Sequence, residues 1–138
     1  MHPPEPAIFR EKRIKVLSQK VLSLSFFNLF LVTLTGLWLR SYPFVDYPLS
    51  FKNVLHGHSH FAFGGWVMPV LLSLILRYIP FLSQNISYCH WRNVATIIVG
   101  SSYGMLLTFP FGGYYLYSII FSTLSVLGRG VSIYGVLP

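Results

Sequence analysis

The sequence predicts an all-α integral membrane protein, with about four transmembrane helices packed as an antiparallel bundle. Three observations predict it. Of 138 residues, 54% are apolar and 9% are charged, whereas a soluble domain carries about 25% charged residues. The apolar residues are gathered into runs, and about 20 helical residues suffice for one crossing. The basic residues flank those runs instead of interrupting them, which is the usual pattern around membrane spans.

Residues 1–20 are polar and basic, carrying Arg10, Lys12, Arg13, Lys15 and Lys20. Pro3, Pro4 and Pro6 oppose an early helix, and Phe9, Ile14 and Leu17 allow a short interfacial one. This stretch reads as a cytoplasmic segment, and residues 21–138 read as the transmembrane domain. The first span, about 21–39, holds no ionisable residue and ends at Trp38, where interfacial aromatics belong. Asn28, Thr33 and Thr35, among its polar residues, are assigned to helix–helix packing. The run is long and ends in Leu37-Trp38-Leu39-Arg40 instead of small residues, so it reads as a retained span and not a cleaved signal.

Residues 40–54 connect, with Pro43, Pro48 and three charges excluding a span. The second span runs about 55–79 and is stopped by Arg77 and Pro80. Residues 80–93 form a loop containing Cys89, His90 and Arg92. A single cysteine permits no intrachain disulfide. The third span is about 94–109. "FPFGG" then makes a tight turn, so the third and fourth spans are antiparallel neighbours. The fourth runs about 114–134. Its apolar part, 114–127, covers roughly 21 Å of a core of about 30 Å, and the helix must continue toward residue 134 to cross.

The net charge of +7 could point to nucleic acid. Placement argues against that. With the N-terminus inside, eight basic residues lie on the inner side (the five above with Arg77, Arg92 and Arg129), and Arg40 and Lys52 lie outside. The bias sets both termini in the cytoplasm, with bacterial inner membrane as the expected location. The basic residues are also placed to meet anionic lipid headgroups. The lipid bilayer is the expected partner and nucleic acid is not.

Chemistry concentrates in "LHGHSHFAFGGWV", residues 55–67, which holds three of the five histidines. If the stretch were extended, His56, His58 and His60 would point the same way and form a copper or zinc clamp. In a helix, His56 and His60 share a face and His58 points about 200° from His56. The long apolar run that follows favours the helix, with His56 and His60 turned inward. Imidazole also ligates haem iron. Gly64 and Gly65 follow, and small residues there let a flat macrocycle or a second helix approach the backbone.

The same stretch resembles the start of the second transmembrane helix in catalytic subunits of the haem-copper oxidase superfamily. The likeness is to cbb-type cytochrome oxidases, to the related nitric oxide reductases, and to smaller divergent proteins assigned to the subunit I family. "FPFGGYYLYSIIFSTLSVL", residues 109–127, is similar to the next helical hairpin. The resemblance implies that His56 is an axial ligand of a low-spin haem b, whose partner in the family comes from a much later helix. The residues themselves add His60 as a second candidate ligand, with Gly64 and Gly65 on the same stretch for the ring to approach. It implies a place in respiratory electron transfer among other oxidase subunits. The Phe-Ala-Phe-Gly-Gly run is offset by one residue when the Leu-His pair is aligned. The later helices that carry the family's copper and active-site haem ligands have no counterpart here. The chain therefore corresponds to an N-terminal portion, and catalysis by it alone is not expected. A homodimer with one His56 from each chain is a further way to complete the haem site. Two other classes stay open: a metal-handling or small transport subunit using His56, His58 and His60, and a non-catalytic fragment.

Overall fold

The computed structural model describes residues 7–79 and 87–112, together with Ile120 and Thr123. The described residues form helices and short connections, with no strand among them. In order these are α1 (Ala7–Ser41), α2 (Phe51–Phe61), a π-helical segment (Ala62–Val67), α3 (Met68–Tyr78) and α4 (Tyr88–Gly112). α2, the π segment and α3 form one continuous rod of 28 residues. Three helices, Ile8–Ser41, Phe51–Tyr78 and Tyr88–Gly112, are long and apolar enough to cross a membrane. The expected fourth span, 114–134, lies outside the described residues but for Ile120 and Thr123.

Each helix is longer than its apolar run. α1 takes in the basic stretch from Ala7 onward, which the sequence reading set apart as non-helical or at most weakly helical. No proline occurs between Pro6 and Pro43 to stop it. At 35 residues it is about 52 Å long, well beyond the ~30 Å of a bilayer core, so a crossing would leave its charged first turns clear of the apolar layer. The second rod starts at Phe51 and not at residue 55, because Ser50 holds an extended backbone and its carbonyl takes the N–H groups of Asn53 and Val54. α4 starts six residues before the expected 94, and its polar first turns are helical too; it also runs past the expected end at 109, through Pro110 to Gly112, so residues 109–112 of the expected tight turn are helical.

Contacts between α1 and the second rod run in opposite order along the two helices: Ser18 meets Ser73, Asn28 meets Gly65, and Thr35 meets His58. Those between the second rod and α4 do likewise, Phe61 meeting Tyr103 and His60 meeting Phe109. One end of the molecule therefore gathers the start of α1, the end of α3 and the start of α4. Its core is Ile14, Leu17, Val21, Leu72, Leu76, Trp91, Val94, Ala95 and Ile98. Arg13 lies over the Tyr88 ring, 4.4 Å from its centroid. Arg77 and Arg92 belong to the same end. The other end carries an aromatic cluster of Trp38, Tyr42, Tyr47 and Phe51.

The distribution of polarity is the reverse of a soluble protein's. Ser18, Ser25, Asn28, Ser73, Ser101 and Ser102 are buried, while Phe26, Phe27 and Phe30 on α1 are 60%, 54% and 58% exposed. Water would penalise that arrangement at every phenylalanine. A bilayer does not, because lipid tails are as apolar as the side chains, and small and polar residues then hold helices together.

Candidate functional site

The second rod places its histidines by helical rotation. His56 and His60, one turn apart, face α4 and flank Phe109. The His60 ring stacks on Phe109 at 5.1 Å and 18°, and His56 lies 6.4 Å from the same ring. Both imidazoles are half-buried, and Phe109 is fully buried. His58 faces α1, where its Nδ1 lies 2.8 Å from the Thr35 hydroxyl. The structure thus separates the three: two share the α4 side and one stands against α1. Among the described residues no three His, Cys, Asp or Glu side chains come together around one point. The three-histidine clamp needs the period-two geometry of an extended chain, and a helix does not supply it.

Thr35 fixes the His58 ring. The Thr35 hydroxyl is also 3.0 Å from the Leu31 carbonyl and 3.0 Å from that of Val32. It has one proton. When that proton goes back to its own helix, the neutral His58 donates through Nδ1 and keeps a lone pair at Nε2. The ring lies against Gly36, where a Cβ would stand in ordinary contact 3.4 Å from His58 Cε1. An imidazole held by one nitrogen and offering the other is the arrangement that second-sphere partners impose on ligating histidines.

The glycines turn out to be seams between helices. A Cβ on Gly64 would come 3.1 Å from Ser102 Cβ on α4, and one on Gly57 would come 3.4 Å from Phe109 Cβ. Gly57 and Gly64 are two turns apart, and so are Phe109 and Ser102, which makes one continuous line of close approach. A Cβ on Gly65 would strike the Phe61 ring at 2.8 Å. The stripe beside His56 and His60 is therefore occupied by α4, and a porphyrin does not fit on the Gly64 face in this packing.

Beneath the histidines lies a polar node that sequence reasoning missed. Asn28, with no exposed surface, donates from Nδ2 to the Gly65 carbonyl at 2.5 Å. Tyr103 donates its hydroxyl to Asn28 Oδ1 at 2.5 Å. One side chain from α1 thereby joins the second rod to α4 near the middle of all three helices. The cause is in the chain. The α-helical donor for the Gly65 carbonyl would be the N–H of residue 69, and residue 69 is proline, which has none. The backbone widens into the π segment just before it, and Asn28 supplies the donor. The sequence marks Asn28 only as a helix-packing residue and gives Tyr103 no partner. The signal that could have found the node was Pro69 four residues after Gly65, in an apolar helix with a lone Asn across from it.

Comparison with protein-family models, with curated proteins and with solved structures finds no match.

Proposed function

We propose that the chain is an integral membrane subunit, crossing four times with both termini in the cytoplasm. Its second helix presents imidazoles near the non-cytoplasmic end to a haem b that takes part in electron transfer. The observation that carries the reading is the pair His56 and His60, one turn apart, half-buried and gathered around Phe109 at the far end from the basic cluster. The resemblance of residues 55–67 to the haem-ligating helix of haem-copper oxidase subunit I supplies the ligand class, and His56 is the position it favours. With the Gly64 face closed by Ser102, a haem would lie outside the seam between the second rod and α4. Its second axial ligand would come from another oxidase subunit or from a second copy. The chain itself would hold the iron and tune its potential through ligand identity and burial.

A second reading is favoured by the Gly57–Gly64 seam and the Asn28 node: a non-catalytic helical scaffold whose small and polar residues serve packing alone. A histidine site for copper or zinc would use the His56–His60 pair, because His58 is turned to Thr35.

Visible spectra of the detergent-purified protein, oxidised and dithionite-reduced, separate these. The haem reading expects a sharp reduced α band that disappears in His56→Ala and survives in His58→Ala. A featureless spectrum in protein that is folded by circular dichroism and made in haem-replete cells refutes it, and leaves the scaffold or the metal pair.

A further inference from the structure

We propose that the cleft between the start of α1 and the end of α3 binds the phosphate group of an anionic phospholipid, with Lys15 and Arg77 as its two cationic walls. The cleft has a volume of about 290 Å³. Its floor is Ile14, Ser18 and Leu76, which are 2%, 3% and 4% exposed. Its rim is exposed: Lys15 and Gln19 from α1, Glu11 one turn before Lys15, and from α3 Arg77 with Tyr78, over whose ring the Arg77 guanidinium lies at 5.8 Å. A buried floor under an exposed rim is a concavity, not a flat charged face. Its mixed character matches an amphiphile, whose phosphate would meet the rim while the first carbons of the chain lie over Ile14 and Leu76.

Depth supports the same ligand. Ser18 exchanges hydrogen bonds with Ser73, one turn before Arg77, and this pair ties the two helices together on the side of the cleft nearer their apolar runs. The apolar run of α1 begins three residues later, at Val21. The cleft therefore lies where charged helix gives way to apolar helix, at headgroup level for a chain that crosses as described. Two cations face one carboxylate, so the cleft is net positive. Arg10, Lys12 and Arg13 on the same end add to the field an anionic headgroup would meet. The inference is independent of haem and rests only on the chain's crossing a bilayer.

Insertion is checked first, by carbonate-resistant flotation with phosphatidylcholine vesicles, so that failure to cross is read separately from failure to bind. The detergent-purified protein is then titrated with dioctanoyl phosphatidylglycerol, dioctanoyl phosphatidylcholine and sodium phosphate. Bound adducts are counted by native mass spectrometry, and the thermal midpoint is followed by circular dichroism. The phosphatidylglycerol adduct is expected to dominate and to raise the midpoint. Lys15→Gln with Arg77→Gln should weaken it by roughly tenfold, while Arg40→Gln with Lys52→Gln at the opposite end should leave it unchanged. Equal binding of the two lipids, or an unaltered adduct in the Lys15/Arg77 variant, overturns the site. Saturation by sodium phosphate alone, with displacement of phosphatidylglycerol, overturns the lipid as the source of the phosphate. Should the double variant fold poorly, Arg77→Lys keeps the charge and is expected to retain phosphatidylglycerol over phosphatidylcholine. Loss of that preference in a folded Arg77→Lys protein would also overturn the proposal as a charge-selective cleft.

Discussion

Asn28→Ala should be among the costliest single substitutions in the membrane-embedded part of the chain. It removes one side chain and strands two partners. The Tyr103 hydroxyl loses an acceptor at 2.5 Å, and the Gly65 carbonyl loses a donor at 2.5 Å. A stranded buried polar group costs about 1–3 kcal/mol, whereas measured inter-helical hydrogen bonds in a membrane average about 0.6 kcal/mol because the unfolded chain finds other partners. The tyrosine can rotate toward another acceptor, so its share is about 1 kcal/mol. The carbonyl cannot move and has proline where its helical donor should be, so its share is about 1–2 kcal/mol. The expected loss is about 2–3 kcal/mol. Reversible unfolding of the detergent-solubilised protein in sodium dodecyl sulfate, followed by circular dichroism, measures it. Pro69→Ala tests the cause. It returns an N–H four residues after Gly65, and in that background Asn28→Ala should cost about 1 kcal/mol less. A loss below about 0.5 kcal/mol for Asn28→Ala, within the range of a neutral surface change, or the same loss with and without Pro69, would refute the reasoning.

The remaining expectations concern the seam, the fixed imidazole and the far-end aromatics. Gly64→Leu places a side chain where Ser102 Cβ already stands 3.1 Å from a bare Cβ position, and should cost about 1–3 kcal/mol. Its thermal midpoint should recover in part when Ser102→Gly is added. Thr35→Val takes the partner from His58 Nδ1 and should cost about 1 kcal/mol in the same unfolding assay. In ¹⁵N spectra of labelled histidine, the His58 ring resonances should move while those of His56 and His60 stay. Tyr42, in the connection after α1, has its hydroxyl pKa raised, first by burial and then by the charge of Tyr47. A group raised in the folded state keeps its proton while the unfolded tyrosine, near pH 10, loses it. Stability should therefore be level below about pH 10 and fall above it. Tyr42→Phe should remove part of that fall. Because the Tyr42 hydroxyl is buried without a hydrogen-bond partner, the same substitution should leave stability at neutral pH unchanged or higher by up to about 1 kcal/mol.

The basic stretch and the histidine turn show how far each kind of reasoning reaches. The basic residues were legible as a flank to a span because hydropathy and charge are properties of composition along the chain. Their helical state from Ala7 onward was not. The prolines at positions 3, 4 and 6 dominated the local reading, while the uninterrupted stretch from Ala7 to Ser41 is what the helix follows. The separation of His58 from His56 and His60 was legible as soon as the segment was taken as helical, because rotation per residue is fixed. What each imidazole would face was not legible, since that depends on which helices stand on either side.

The sequence by itself determined that this is a helical chain with at least three segments apolar and long enough to cross a bilayer, that its charge lies at their ends, and that three of its five imidazoles crowd five residues of the second helix. Those follow from length, hydropathy and helical period, which are local. Only the tertiary structure decided that Gly64 meets Ser102, that Thr35 orients His58, and that Asn28 answers for the proton Pro69 lacks. Each of these joins residues 23 to 38 positions apart in the chain. Local pattern can register that a carbonyl will be left without its donor. Which side chain reaches it is set by how the helices pack, and in an apolar layer without water that side chain is the one the packing must provide.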